Sequence, residues 1–283
     1  MPVPARVPPG AVGRVAPVQR GLHVPNFGPY GSARAVAALA AAAERAGWDG
    51  VFLWDHVVRK EGDLEVVDPW IALAAAAVVT ERVRLGPLVT PLPRRRPWNV
   101  AKAAVSLDHL SGGRAVLGVG IGVSRGPEFP AFGEETDTRR RGDMLDEGLA
   151  IVRGAWSGEP VSASGAHYRL AGVRFLPTPL QPGGIPIWAA TETVRGRPVR
   201  RAATLDGVFP IGIAPADLAA LFEELGPGRV AGGRFDVVVV SAEAQGEADA
   251  SAWETAGATW WLRQLPWQAS FDEAMSLVTR GPA

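Results

Sequence analysis

Between residues 18 and 279 the chain alternates eight short apolar runs with segments of helical periodicity, and that rhythm limits what it can fold into. The runs are "VQRGLHVP" (18–25), "GVFLW" (50–54), "RVRLGPLVT" (82–90), "RAVLGVGIG" (114–122), "IPIWAA" (185–190), "DGVFP" (206–210), "RFDVVVV" (234–240) and "GATWWLRQL" (257–265). Strands joined by single helical crossovers return to the same end of a sheet and pair in parallel. Their near-continuous apolar character is what a strand covered on both faces requires.

Helix boundaries are marked locally. Ser32 is placed as an N-cap, with Val36, Leu39, Ala40 and Ala43 on one face and Gly47 closing the helix. Asp68 followed by Pro69 pairs an N-cap with proline at the first helical position. The helix over 97–110 stops at "SGG", and a longer one over 137–156 carries Leu145, Gly148, Leu149, Val152 and Trp156 on one face. Further helices are expected near 197–204, 215–225, 247–256 and 269–279. The rhythm breaks once, at "EPVSASGAHYRLAGVRF" (159–175), which reads as a hairpin turning near Gly165. Eight βα units fit one (β/α)8 TIM barrel of the α/β class, with that hairpin as an insertion. A doubly wound open sheet is the alternative. The expected organisation is a flexible, proline-rich extension over 1–17 and one barrel domain over 18–283.

Composition narrows function. Lys plus Arg and Asp plus Glu number 29 each, so no net field favours nucleic acid or an anionic membrane as partner. There is no cysteine, hence no disulfide, thiolate metal site or cysteine nucleophile, and no metal site is expected. No apolar run approaches the roughly 18–20 residues of a spanning helix. The first twenty residues, cut by prolines, lack the apolar core of a signal peptide, so a cytoplasmic protein is expected.

Sites on a barrel lie where strands end and βα loops begin. The second run stops on Asp55 and His56, which read either as a catalytic or ligand-binding pair or as a loop cap beside a rim histidine. Glycines 118, 120 and 122 let backbone approach a ligand closely, although "GVGIG" does not satisfy the dinucleotide fingerprint. Trp54, Trp188, Trp260 and Trp261 stand near strand ends, where they line an apolar pocket or pack core and rim.

The segments "GWDGVFLWDH", "DPWIALAAAAVVTERVRLGPLVTPLPRRRPWNVAKAAVSLDHLSGGRAVLGVGIG" and "EFPAFGEETDTRRRGDMLDEGLAIVRGAWSGEPVSASGAHYRL", in this order, resemble the bacterial luciferase-like family. These are flavin- or deazaflavin-dependent oxidoreductases on TIM barrels. The likeness covers about 20–210, with weaker echoes in "FDVVVV" and "AGATWWL". It implies a ring seated in the barrel mouth against a bulge at "PLVT", with Leu88, Val89 and Thr90 in contact and Leu88–Val89 the candidate for a non-prolyl cis bond. The Asp–His pair resembles the branch that uses the deazaflavin coenzyme F420. Carried over, Asp55 bonds the ring's pyrimidine edge and His56 is the acid/base partner near the hydride-transfer atom. Tail contacts are implied at Gly120, Ile121 and Gly122, and after strand five at Ala190, Thr191 and Thr193, with Arg195 or Arg197 for charge. His23 is a candidate lining residue, whereas His109 and His167 fall away from the mouth.

Two departures touch the phosphate end: Ala189–Ala190 stand where many relatives have glycines, and Ile121 lies where luciferase has an arginine. The expected activity is hydride transfer between a (deaza)flavin, coenzyme F420 by preference and FMN otherwise, and a small organic substrate. An FMN-dependent monooxygenase and a non-catalytic flavin-binding barrel are the alternatives. Dimers are common in the family it resembles, so a homodimer is one assembly open to this chain, and the residues do not decide oligomeric state.

Overall fold

In a computed structural model, the residues described are 17–60, 63–123, 126–226, 229, 235–241 and 250–282. The extension expected over 1–17, except its last residue, and the start of the helix expected over 247–256 lie outside them.

The first strand, β1 (Gln19–Val24), leads through a short turn to α1 (Ala33–Arg45), then β2 (Gly50–Leu53) and α2 (Pro69–Ala77). The third stave is β3 (Arg84–Pro87) and β4 (Thr90–Pro91), followed by α3 (Pro97–Ser111), β5 (Leu117–Gly120) and α4 (Thr138–Trp156). A hairpin, β6 (Val161–Ser164) and β7 (Arg169–Val173), precedes β8 (Ile187–Thr191), α5 (Arg197–Ala202), β9 (Gly207–Pro210) and α6 (Leu218–Leu225). The chain closes with β10 (Asp236–Ser241), α7 (Ala250–Thr255), β11 (Trp260–Gln264) and α8 (Phe271–Thr279).

The caps read from sequence are present. Ser32 Oγ accepts from the Ala35 amide, Asp68 accepts from Trp70 and Ile71, and Gly112 ends α3 with a positive φ of 68°. Asp137 caps α4 rather than opening it, accepting from the Arg140 amide at 2.8 Å.

All strand pairs of the large sheet are parallel, in the order β3-β2-β1-β11-β10-β9-β8-β5-β4. The sheet closes because Leu85 bridges Ala115, with the Val116 amide donating to the Leu85 carbonyl at 2.9 Å. Eight staves thus form a TIM barrel, and the 159–175 hairpin pairs only with itself. The third stave departs from the continuous run expected over 82–90. Its first half pairs with β2 and its second with β5, and between them the Leu88–Val89 peptide bond is cis.

Alternate strand residues face opposite ways. Val51 and Leu53 pack outward beneath the helices, while Phe52 joins Leu88, Val116, Trp188, Phe209, Val238, Trp260 and Leu262 inside the barrel. Trp188 and Trp260 therefore fill the interior with Phe52, and Trp261 lies in the helix-facing layer under Arg20. Of the four tryptophans placed near strand ends, Trp54 reaches the mouth.

Candidate active site

The mouth is built by loops that follow β1, β2, β4 and β5. Asn26, fully buried after β1, clamps the loop after β2 by its carboxamide: Oδ1 accepts from the His56 amide at 3.1 Å, and Nδ2 donates to the carbonyls of His56 and Val67. Gly28 donates to Glu65 and Val67 to Asn26, completing the seam. Both main-chain polar groups of His56 are thus paired, which fixes the backbone that carries the imidazole.

The imidazole itself is held on two sides. Nδ1 lies 3.0 Å from Oε2 of Glu128, and Nε2 lies 3.3 Å from Nη1 of Arg59. Arginine only donates, so Nε2 is the acceptor and Nδ1–H donates to the carboxylate. Phe27 and Trp54 pack against the ring at 5.7 and 5.8 Å between centroids. The other carboxylate oxygen of Glu128 accepts from the amides of Val57 and Val58, the two residues after His56. Burial alone raises the Glu128 pKa. The hydrogen bonds from His56 and Val57, together with the charge of Arg94, outweigh that and bring it down to about 2.

Asp55 sits behind this pair with its side chain fully buried. Arg95 grips the carboxylate with two parallel bonds, Nε to Oδ2 at 2.9 Å and Nη2 to Oδ1 at 2.7 Å. Arg94 Nη2 donates to Oδ1 and to the Asp55 carbonyl, and Thr90 Oγ1 donates to Oδ2 at 2.8 Å. Asp55 is therefore saturated by protein donors. That geometry favours an orienting role over the ring contact expected for it, and the Thr90 hydroxyl is likewise turned to Asp55. Arg94 links the two acids, its Nη1 lying 2.7 Å from Glu128 Oε2 but outside hydrogen-bond alignment, which leaves that buried N–H without an acceptor. Two carboxylates and two guanidiniums balance within one cluster.

His23 supports the mouth from below. Trp54 Nε1 donates to its Nδ1 at 3.1 Å, so Nε2 carries the proton and donates to the Leu88 carbonyl at 2.7 Å. Burial is the largest influence on His23 and lowers its pKa to about 4, against smaller opposing effects from Leu88 and Gln264, so the ring is neutral at pH 7. It holds the carbonyl of the bond that redirects the third stave.

Above the interior cluster, Val89, Ala190 and Val240 remain partly exposed and form an apolar floor. A Cβ on Gly120 would lie 3.0 Å from Val89 and 3.5 Å from Ala190, so these expected cofactor contacts do come together. At glycines 118 and 122 the missing Cβ makes room within the protein itself. A Cβ on Gly118 would come within 2.5 Å of the Pro87 carbonyl, and one on Gly122 within 2.6 Å of the Phe129 ring. They make room for the bulge and for Phe129. The carbonyls of Ile121 and Gly122 accept from buried Arg141, which stacks on Phe129 at 4.3 Å. Ile121 and Gly122 thus direct acceptors to an arginine of α4.

Thr191 and Thr193 also turn inward. Thr191 Oγ1 donates to the Thr193 carbonyl at 2.7 Å, and Thr193 Oγ1 donates to the Arg195 carbonyl at 2.8 Å. Both hydroxyl protons are taken by nearby main-chain carbonyls. Arg195 pairs with Glu223, and Arg197 with Asp143 and Asp146. His109 and His167 lie away from the mouth, the first bonded to the Thr178 carbonyl at the far end of α3 and the second in the hairpin turn. A cavity of about 520 Å³ lies at the opposite barrel end, lined by Trp156, Gln181, Ile185 and Asp206 among others, well removed from this chemistry.

Sequence reasoning passed over Glu128, Arg94, Arg95 and Asn26. The only local signal was the triple arginine after "PLVTPLP", which resembles a solvated charge run until Asp55 is seen between its members. An apolar floor, a buried donor without an acceptor and a fixed imidazole suit a planar ring bearing carbonyl edges.

The profile of the luciferase-like monooxygenase family matches residues 14–280. An F420-dependent glucose-6-phosphate dehydrogenase of Beutenbergia cavernae is 36% identical over 154 residues, 53% of this chain and 44% of that one. An F420-dependent hydroxymycolic acid dehydrogenase of Mycobacterium tuberculosis is 33% identical over 186 residues, 64% of this chain and 51% of the relative. The chain spans about half the length of these curated relatives. A solved F420-dependent secondary alcohol dehydrogenase, in complex with an F420-acetone adduct, superposes with a TM-score of 0.77 over 94% of this chain and 98% of that one. At 18% identity that last likeness speaks for the barrel alone. With the profile spanning nearly the whole chain, the protein belongs to the luciferase-like monooxygenase family.

Proposed function

We propose that the chain is an oxidoreductase that uses a (deaza)flavin, coenzyme F420 in preference to FMN, and acts on a small organic substrate. The observation that carries this reading is His56 at the mouth, pinned through Nδ1 to Glu128 beside the floor of Val89 and Ala190. Curated relatives bearing F420-dependent names support the choice of cofactor. When bound, the ring supplies the chemistry of hydride donation or acceptance.

The protein's own part is acid/base and electrostatic. His56 takes or gives the proton of a substrate hydroxyl or carbonyl oxygen at Nε2, the substrate oxygen replacing Arg59 there, while Glu128 holds the imidazolium at Nδ1. Asp55 acts at one remove, fixing Arg94 and Arg95, and Arg94 in turn lies beside the Glu128 carboxylate that holds His56. Phe27 and Trp54 keep water from the imidazole flanks.

Titrating the purified protein with coenzyme F420 and with FMN, followed by single-turnover oxidation of the reduced form, tests the reading. His56→Ala should keep the fold and the ring affinity but lower turnover by about 10²–10⁴. Wild-type turnover in that variant would remove the catalytic role. Binding without any turnover in the native chain would favour a non-catalytic barrel.

A further inference from the structure

The segment "TETVRGRPVRR" (191–201) reads as an anion site, with four arginines and two threonines between a barrel strand and a helix. In the fold it is neutralised from within. Oε1 of Glu224, on α6, accepts from the Gly196 amide at 3.1 Å and from Arg200 Nη1 at 2.9 Å. Both are donors of the kind that bind an anion, and one carboxylate oxygen already takes both. Arg195 is paired to Glu223 at 2.8 Å, and Arg197 bridges Asp143 and Asp146, each at 2.6 Å. Arg201 also bonds Asp146 and donates to the Gly142 carbonyl at 3.1 Å. Four acids of α4 and α6 thus face four arginines, and the hydroxyls of Thr191 and Thr193 point at local carbonyls.

We propose that Glu224 is a specificity-determining residue that closes this loop to phosphate, so that a ring ligand gains nothing here from a phosphorylated tail. A phosphate brought to Gly196 would displace a carboxylate and then lie beside both Glu223 and Glu224. Like charges at such spacing repel, and the arginines cannot serve the newcomer without abandoning α4 and α6. The ligand half of this inference rests on the ring-binding function proposed above, whereas the closed loop does not.

The experiment compares riboflavin with FMN, which differ by the phosphate, on the native chain and on Glu224→Gln, by equilibrium titration. In parallel, inorganic phosphate is titrated against the amide resonances of residues 191–197 in both proteins. The native chain should bind the two rings within about threefold of each other, and its Gly196 amide should not respond to phosphate. Removing one like charge should raise FMN affinity by about fivefold or more while leaving riboflavin within about twofold. The Gly196 amide of the variant should then shift with phosphate. FMN binding more than about threefold tighter than riboflavin to the native chain would overturn the proposal. So would a phosphate-responsive native Gly196 amide, or a variant that matches the native protein in both readouts. If neither ring binds either protein, the FMN alternative fails while the F420 reading stands on its own titration, and the phosphate titration alone decides the role of Glu224.

Discussion

Oε2 of Glu128 lies 3.0 Å from Nδ1 of His56, across 72 residues of sequence. The same carboxylate caps the amides of Val57 and Val58 and sits beside Arg94, so one side chain sets both the orientation of the imidazole and the path of its loop. Glu128→Gln keeps the shape and removes the charge. With the carboxylate charge gone from Nδ1, turnover should fall by about tenfold or more, with little change in KM. A structural role alone would not abolish the hydrogen-bonded Nδ1–H proton resonance, so its survival at wild-type position would show that Glu128 does not position His56.

Asp55→Ala should act on stability first. Asp55 accepts from Arg94, Arg95 and Thr90 with a fully buried side chain, and truncation leaves Arg94 only Glu128 as acidic partner and Arg95 only Asp68, 3.7 Å away. Breaking a buried pair by removing one partner costs about 3–5 kcal/mol. Denaturant titration should show that loss even without ligand. A variant as stable as the native chain but deficient in ring binding would restore the direct ring contact expected from the sequence.

Acid should destabilise the protein in two stages. The folded pKa of His23 is lowered from 6.5 to about 4, so the unfolded chain takes up this proton first. That contribution is fully present above pH 6.5 and is lost as pH falls towards 4, to a limit of about 3 kcal/mol. Glu128, lowered from 4.5 to about 2, adds stability that is present above 4.5 and fades as pH falls towards 2. Asp236 runs the other way. Burial, against bonds from Thr259 and Trp188, raises its pKa, so folding is penalised as pH rises past its ordinary value. Chemical denaturation between pH 7 and 4 should show a decline that His23→Gln flattens. An equal slope in the variant would mean that His23 is not the group responsible.

Gly118→Ala tests the bulge. Its Cβ would meet the Pro87 carbonyl at 2.5 Å and Leu88 Cδ1 at 2.6 Å, and backbone cannot yield as a flexible side chain does. Overpacking of this kind costs about 1–3 kcal/mol. Because the displaced atoms adjoin Val89, ring affinity should fall as well. Gly112→Ala, at a helix end far from the mouth and with no neighbour within 4 Å, should lose stability through its positive φ while leaving ring affinity unchanged. Unaltered stability and ring affinity in Gly118→Ala would show that the third stave does not need this glycine.

What the sequence determined by itself was periodic and local. The alternation of apolar runs with 3.6-residue patterns determined a parallel sheet and favoured a barrel over an open one, while closure itself came from the Leu85–Ala115 bridge. Ser32, Asp68 and Gly112 marked helix ends because capping is a contact between near neighbours. Asp55 and His56 were visible because they interrupt an apolar run at a strand's end. Tertiary structure alone decided what those two residues do. Glu128 reaches His56 from the loop after another stave, and Arg94 and Arg95 reach Asp55 from a third. Likewise the arginines of 195–201 look available in the chain but meet acids of α4 and α6 in the fold. A charge in sequence carries no information about its partner, since ion pairs form between side chains that only packing brings within 3 Å or so. Local rules therefore located the mouth of the barrel, and long-range pairing assigned its charges.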